Sequence, residues 1–183
     1  MDNLKIHTIE TAPEKSKSLL ENSLKAFGMI PNLHAVMAES PAVLEAYKIL
    51  HRLFSEETAF NAEELTVIWQ TINVENQCHY CVPAHTGIAH SMKVDTKITQ
   101  ALRDKTPLEN NKLEILRLTT LKIVRNQGVL SDQELTEFYN VGFTKQHVLE
   151  IFLGYSQKIL SNYTNHIAQT PVDKVFEKFA WER

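Results

Sequence analysis

The chain has 183 residues, of which 43% are apolar and 22% charged, a globular composition that excludes intrinsic disorder. With 19 basic against 22 acidic side chains the net charge is −3, which excludes a general nucleic-acid binder and a polybasic membrane-surface protein. Only 5 glycines and 6 prolines are present, too few for a turn-rich all-β chain, so the composition leans towards helices.

Apolar residues recur at helical spacing along most of the chain. Residues 13–27 read as a first helix, opened by Pro13 and stopped by Gly28. Pro31 and Asn32 open a short segment containing Leu33, Val36 and Met37. Ser40 followed by Pro41 caps a helix that carries Val43, Leu44, Tyr47, Leu50 and Phe54. Asn61 and Glu64 have the spacing of a capping box, and behind them Leu65, Ile68, Trp69 and Ile72 form one apolar stripe. Further helices are expected over 80–91, 95–102 and 109–126, the last closed by Gly128. Ser131 and Glu134 repeat the capping-box spacing, and Thr144 starts a last long helix with Val148, Ile151, Phe152, Tyr155 and Ile159 on its buried face. Residues 65–77 and 113–127 echo one another, each an apolar helix running into Asn-Gln. No strand-like alternation competes, and the expectation is an all-α chain with a single helical domain over residues 1–183.

The first residues, Met1 to Ile6, lack the charged-then-apolar pattern of a signal peptide, and no apolar run approaches the ~18 residues of a membrane span. A soluble, cytoplasmic protein is therefore expected. The 2 cysteines are Cys78 and Cys81. Random placement would put them three apart on the order of once in a hundred chains, so the spacing carries information. A reducing compartment disfavours a structural disulfide and leaves redox chemistry or metal binding.

The segment that carries chemistry is Glu75-Asn76-Gln77-Cys78-His79-Tyr80-Cys81-Val82-Pro83-Ala84-His85-Thr86. Helical spacing puts Cys78, Cys81 and His85 on one face, with His85 one turn beyond Cys81. Pro83 is tolerated only near a helix start, so the helix should begin at His79 or Tyr80. Cys81 then lies in the first turn, where free N–H groups and the helix dipole favour a thiolate. A nearby histidine and a second thiol suit peroxide reduction or dithiol–disulfide exchange. Cys78, Cys81, His85 and His90 also have the types of a zinc site, although His90 points away from the shared face of a continuous helix, which leaves a three-ligand site with water or His79 contributing from before the helix.

This block resembles the alkylhydroperoxidase D-like branch of the carboxymuconolactone decarboxylase superfamily. Pro31-Asn32-Leu33 and Ala38-Glu39-Ser40-Pro41-Ala42 upstream support the resemblance, which covers residues 10–102. It implies an all-helical fold, a homo-oligomer, and reduction of hydroperoxides by a dithiol or thiol-carrier donor with no cofactor. By position, Cys81 would attack the peroxide, Cys78 would resolve, and His85 would relay the proton. The family pattern has a glutamate to orient the histidine where this chain has Thr66, which leaves Glu75, or less favourably Glu64, as the substitute. The usual glycine before the first cysteine is Gln77, and Tyr80 stands where a histidine can precede the second. The Tyr80 hydroxyl is a candidate to bind peroxide or to serve packing. Alternative readings are a lactone decarboxylase, which needs no C-x-x-C pair, and a redox-sensing or zinc-stabilised oligomeric protein without turnover.

His7, His34, His51, His147 and His166 have no partner at ligand spacing and read as surface or structural residues; His51 and His147 lie on helices able to line a pocket. Trp69 reads as core or pocket wall. The segment 172–181 carries large apolar groups and is expected to cap its own core or dock on a neighbour.

Overall fold

The computed structural model describes residues 4–182, and the described residues form nine α-helices and one 3-10 helix with no strand. The helices are α1 (Glu14–Phe27), α2 (Asn32–Met37), α3 (Pro41–Glu56), α4 (Ala62–Glu75), α5 (Cys81–Ser91), α6 (Thr96–Asp104), α7 (Asn111–Arg125), α8 (Asp132–Asn140) and α9 (Lys145–Ala168), followed by the 3-10 helix Lys174–Phe179. Both capping boxes form: Asn61 Oδ1 accepts from Glu64 N at 3.0 Å, and Glu64 Oε2 accepts from Asn61 N at 3.0 Å. At Ser131 the backbone N–H donates to Glu134 Oε2 at 2.7 Å. These reciprocal bonds satisfy donors that each helix start would otherwise leave bare.

Helix α4 is the axle. Every residue from Glu64 to Val74 is buried, because α5, α6, α7 and α9 all pack on it. Full burial of Ile68, Trp69 and Ile72 contributes about 2 kcal/mol each. The echo between 65–77 and 113–127 has a structural counterpart, since α4 and α7 pack on each other and end alike. Gln77 (φ 52°) and Gln127 (φ 55°) both turn left-handed, and Cys78 N and Gly128 N reach back to Asn73 O and Ile123 O at 2.9 Å. That closure ends α4 at the first cysteine.

Helix α9 runs well past the Ile159 of the predicted stripe and lies across α2, α3 and α4. Its approach to α3 requires Gly154, where an added Cβ would meet the Phe54 ring at 2.6 Å. Ile151 is fully buried, whereas Ile159 is only half-buried. Beyond Gly154 the buried face turns polar, and Gln157, Lys158, Ser161, Asn162 and Asn165 are all fully buried. The chain then reverses, and the C-terminal segment folds back over α5 and α6 of its own chain. Arg103 Nη1 and Nη2 donate to Phe179 O and Ala180 O at 3.0 and 2.8 Å. Phe176 sits against Gly87 of α5, where a Cβ would stand 2.6 Å from its ring. No helix among the described residues is long and apolar enough to cross a membrane.

Candidate active site

The α4 closure delivers Cys78 into a tight turn, and α5 starts at Cys81. Cys78 Sγ accepts the backbone N–H of Cys81 at 3.3 Å, so the first sulfur takes the place of a helix cap. Both cysteines are free and buried. Cys81 occupies the first turn of α5, at the positive end of the helix dipole.

The polar stripe of α9 faces the pair. Asn165 Nδ2 donates to Cys81 Sγ at 3.2 Å and to Cys78 Sγ at 4.0 Å. Asn162 Nδ2 donates to Asn73 Oδ1 at 3.0 Å, and Asn73 Nδ2 reaches Cys81 O at 3.4 Å. Gln70 Nε2 donates to Val82 O at 3.1 Å. This web pins the motif backbone from two helices. Lys158 Nζ, fully buried, lies within hydrogen-bond distance of His85 Nε2, at 2.9 Å.

The electrostatics follow from these contacts. Burial pushes the Cys81 thiol up, but the hydrogen bond with Cys78, the Lys158 charge and the amides of Asn162 and Asn165 outweigh it, and the net direction is down. Cys78 moves the other way, raised by its hydrogen bond with Cys81, by burial and by the neighbouring sulfur's charge. Burial, then Lys158 and His51, hold His85 well below the ordinary histidine range. The arrangement presents one nucleophilic sulfur with a protonated thiol beside it.

Cys81, His85 and Lys158 line a cavity of about 370 Å³ whose other walls are mainly apolar, among them Phe27, Tyr47, Ile88 and Phe176. A row of rings leads into it: His34 to Tyr47 at 5.6 Å, Tyr47 to His51 at 6.2 Å, His51 to Trp69 at 5.6 Å and Trp69 to His85 at 4.8 Å. Burial, with the Lys48 charge for His34 and the Lys158 charge for His51, lowers these imidazoles to about 3 and about 4.

No protein-family profile matches the sequence, and no curated protein matches it significantly. Solved structures do. An alkylhydroperoxidase AhpD core, a peroxidase-related protein from Ralstonia eutropha JMP134, superposes with TM-score 0.82 at 18% identity, covering 94% of this chain and 92% of that one. The fold is that of the alkylhydroperoxidase D core. A peroxidase-related protein from Silicibacter sp. TM1040 gives TM-score 0.79 at 16% identity over 95% and 93% of the two chains. The debrominase Bmp8, as a cysteine-to-alanine variant in complex with 2,3,4-tribromopyrrole, gives 0.77 at 14% over 97% of each chain.

Within this alkylhydroperoxidase D fold, Cys78 and Cys81 meet at the start of α5, and Cys81 shares its cavity with His85. Glu75 does not join them. Both its oxygens are taken by Arg125 of α7, at 2.7 Å from Nε and 2.9 Å from Nη2, because the last turn of α4 presents Glu75 to α7. Glu64 is committed to its capping box and to Lys112 Nζ at 2.7 Å, and Thr66 Oγ1 donates to Ala62 O at 2.8 Å. The zinc candidates are not gathered either. His90 packs against Phe179, His79 Nε2 bonds Thr170 O at 2.9 Å, and no group of three His, Cys, Asp or Glu side chains suits a metal among the described residues.

The remaining expectations resolve by position. His34 and His51 line the cavity, with His34 Nδ1 bonded to Ser23 Oγ at 2.9 Å. His147 Nδ1 accepts from Thr144 N at 3.0 Å and caps α9, His166 stacks on Tyr163, and His7 pairs with Glu39 at 2.7 Å. Trp69 is core, its Nε1 donating to Gln157 Oε1 at 3.0 Å. The Tyr80 hydroxyl donates to Asp173 and accepts from Leu33 N at 3.3 Å, so it anchors the C-terminal segment. Gln77 adopts the left-handed turn a glycine would take, at a cost of roughly 1 kcal/mol. Sequence reasoning missed Lys158, Asn162 and Asn165. Their spacing of four and three residues was the available signal, and it is the same spacing a solvated helix face shows.

Proposed function

We propose that the chain is a dithiol oxidoreductase that reduces organic hydroperoxides at Cys81, with Cys78 as the resolving thiol. The observation that carries this reading is the asymmetry of the pair. Cys81 lines the cavity with its thiolate favoured, while Cys78 is fully buried behind it with its thiol form favoured. The Cys81 thiolate attacks the terminal peroxide oxygen, the O–O bond breaks, and the alkoxide leaves as the alcohol on taking a proton. Cys78 then displaces the hydroxyl of the Cys81 sulfenic acid, giving an internal disulfide and water. A dithiol donor of the thiol-carrier class restores both thiols by exchange. The test is the reaction of Cys78→Ser and Cys81→Ser with cumene hydroperoxide. Cys78→Ser should accumulate a sulfenic acid that dimedone traps, and Cys81→Ser should not react. Equal reactivity in the two variants would overturn the assignment.

Reductive dehalogenation of an aromatic is a second reading, favoured by the aromatic walls of the cavity and by the likeness to Bmp8. It uses the same two electrons, since an aryl bromide and two thiols yield the arene, a disulfide and bromide with its proton. Bromide release in step with disulfide formation distinguishes it from peroxide reduction.

A further inference from the structure

Lys158 has a property the hydroperoxide scheme does not use. Its ammonium group is fully buried, and no carboxylate forms an ion pair with it among the described residues. An ammonium isolated in a protein interior costs several kcal/mol, so such a group neutralises or acquires an anion. The acid within reach is the Cys81 thiol, which lines the same cavity as Lys158 and whose negative charge opposes the downward pull of burial on the Lys158 ammonium. One proton therefore serves both groups, on sulfur in a neutral pair or on nitrogen in a thiolate–ammonium pair. Asn165, donating to Cys81 Sγ at 3.2 Å, favours the second form.

His85 is constrained by the same contact. Where Lys158 is the ammonium it only donates, so His85 Nε2, 2.9 Å from Lys158 Nζ, then accepts and the single proton of the neutral ring lies on Nδ1. That Nδ1 is buried without a protein partner. A second proton would place two cations in contact, with no carboxylate on the ring to offset them. The residue that the sequence marks as the proton relay is thus occupied as an acceptor.

We propose that Lys158, rather than His85, takes the proton of Cys81 and returns it to the product, and that His85 is the neutral positioning residue that holds the Lys158 ammonium in place. Its part in turnover rests on the hydroperoxide reading above. Thiolate attack leaves a sulfenic acid and an alkoxide, and Lys158 gives its proton to the alkoxide and becomes an amine. That amine then removes the proton of Cys78, and delivers it to the hydroxide displaced from Cys81 as the disulfide closes. After reduction by the external dithiol, the new Cys81 thiol reprotonates Lys158, and the cycle balances.

The titratable groups facing Lys158 are Cys78, Cys81 and His85 from the motif and α5, with His51 from α3 and Tyr47 beside it. Helix α4 offers Trp69 and Asn73 on this side, which do not titrate, and α2 offers His34, separated from the pair by Tyr47.

The test follows alkylation of Cys81 by iodoacetamide against pH in the Cys78→Ser chain, alone and with Lys158→Met or His85→Gln. Lys158→Met should move the midpoint up by at least about one unit and slow alkylation near neutral pH about tenfold. His85→Gln should move it less. A midpoint that follows His85→Gln and ignores Lys158→Met overturns the proposal. Side-chain NMR of Lys158 in the unaltered, reduced chain supplies a measurement that needs no variant. The ammonium signal should persist wherever thiolate absorbance is present, and a neutral Lys158 beside a Cys81 thiolate would equally overturn it. Neither readout involves a peroxide, so failure of the chain to reduce cumene hydroperoxide would count against the function alone.

Discussion

Tyr80 offers the sharpest test of how the C-terminal segment is held. In the structure its hydroxyl donates to the Asp173 carboxylate, which is only 3% exposed and otherwise accepts from Asn32 N at 2.9 Å. Tyr80→Phe keeps the ring in its apolar cluster and deletes the donor to Asp173 together with the longer, weaker bond accepted from Leu33 N. A hydrogen bond to a charged group contributes about 1.5–3 kcal/mol, and Asp173 has one other donor to fall back on, so a loss of about 2 kcal/mol is expected. The loss need not be global, because residues 171–182 are a strap held by this bond, by Arg103 and by Phe176 against Gly87. Limited proteolysis should therefore cut the strap earlier in Tyr80→Phe, while urea unfolding reports a smaller drop in overall stability. The rate at which Cys81 reacts with small hydroperoxides should stay within about twofold, a difference of under ~0.5 kcal/mol. An unchanged strap together with a large fall in that rate would refute the anchoring role and return the hydroxyl to peroxide binding.

Other outcomes follow from the same geometry. Gly87→Ala should loosen the strap by a separate route, since the new Cβ meets the Phe176 ring at 2.6 Å, and proteolysis should again read it with the Asp173 bonds intact. Glu75→Gln should leave the thiol pH profile and hydroperoxide reaction unchanged and cost at most about 1 kcal/mol in urea unfolding, because its partner is Arg125 on a largely exposed surface. His34 and His51 titrate from 6.5 when unfolded to about 3 and about 4 when folded, so the unfolded chain binds more protons between those values. Stability should be complete above pH 6.5 and fall as the pH drops towards about 4, and a urea midpoint that rises over that range would contradict the burial of these rings.

Much of the fold was legible because its signals are local. The pairs Asn61 with Glu64 and Ser131 with Glu134 mark helix starts through bonds made within one turn. The closure at Asn76 and Gln77 likewise announces itself in the residues that make it. Cys78, Cys81 and His85 were legible because a turn and a helix start bring near neighbours together. The α9 stripe was not, since Lys158, Asn162 and Asn165 meet the motif only where a distant helix crosses it. In sequence a buried polar stripe and a solvated one have the same period. Glu75 shows the converse error, a carboxylate close to His85 in sequence but turned by α4 towards Arg125. The destination of the segment 172–181 was open for a similar reason, because its anchors, Tyr80 and Arg103, lie far upstream.

The central claim is that Cys78 and Cys81 form one two-electron redox unit served by the cavity. The most direct test is the intact mass of the reduced, unaltered chain before and after one equivalent of cumene hydroperoxide, with the alcohol product counted. The expected result is a rapid loss of two hydrogens, an internal Cys78–Cys81 disulfide and one alcohol per chain. An unchanged mass with both thiols still reduced after prolonged exposure would contradict it.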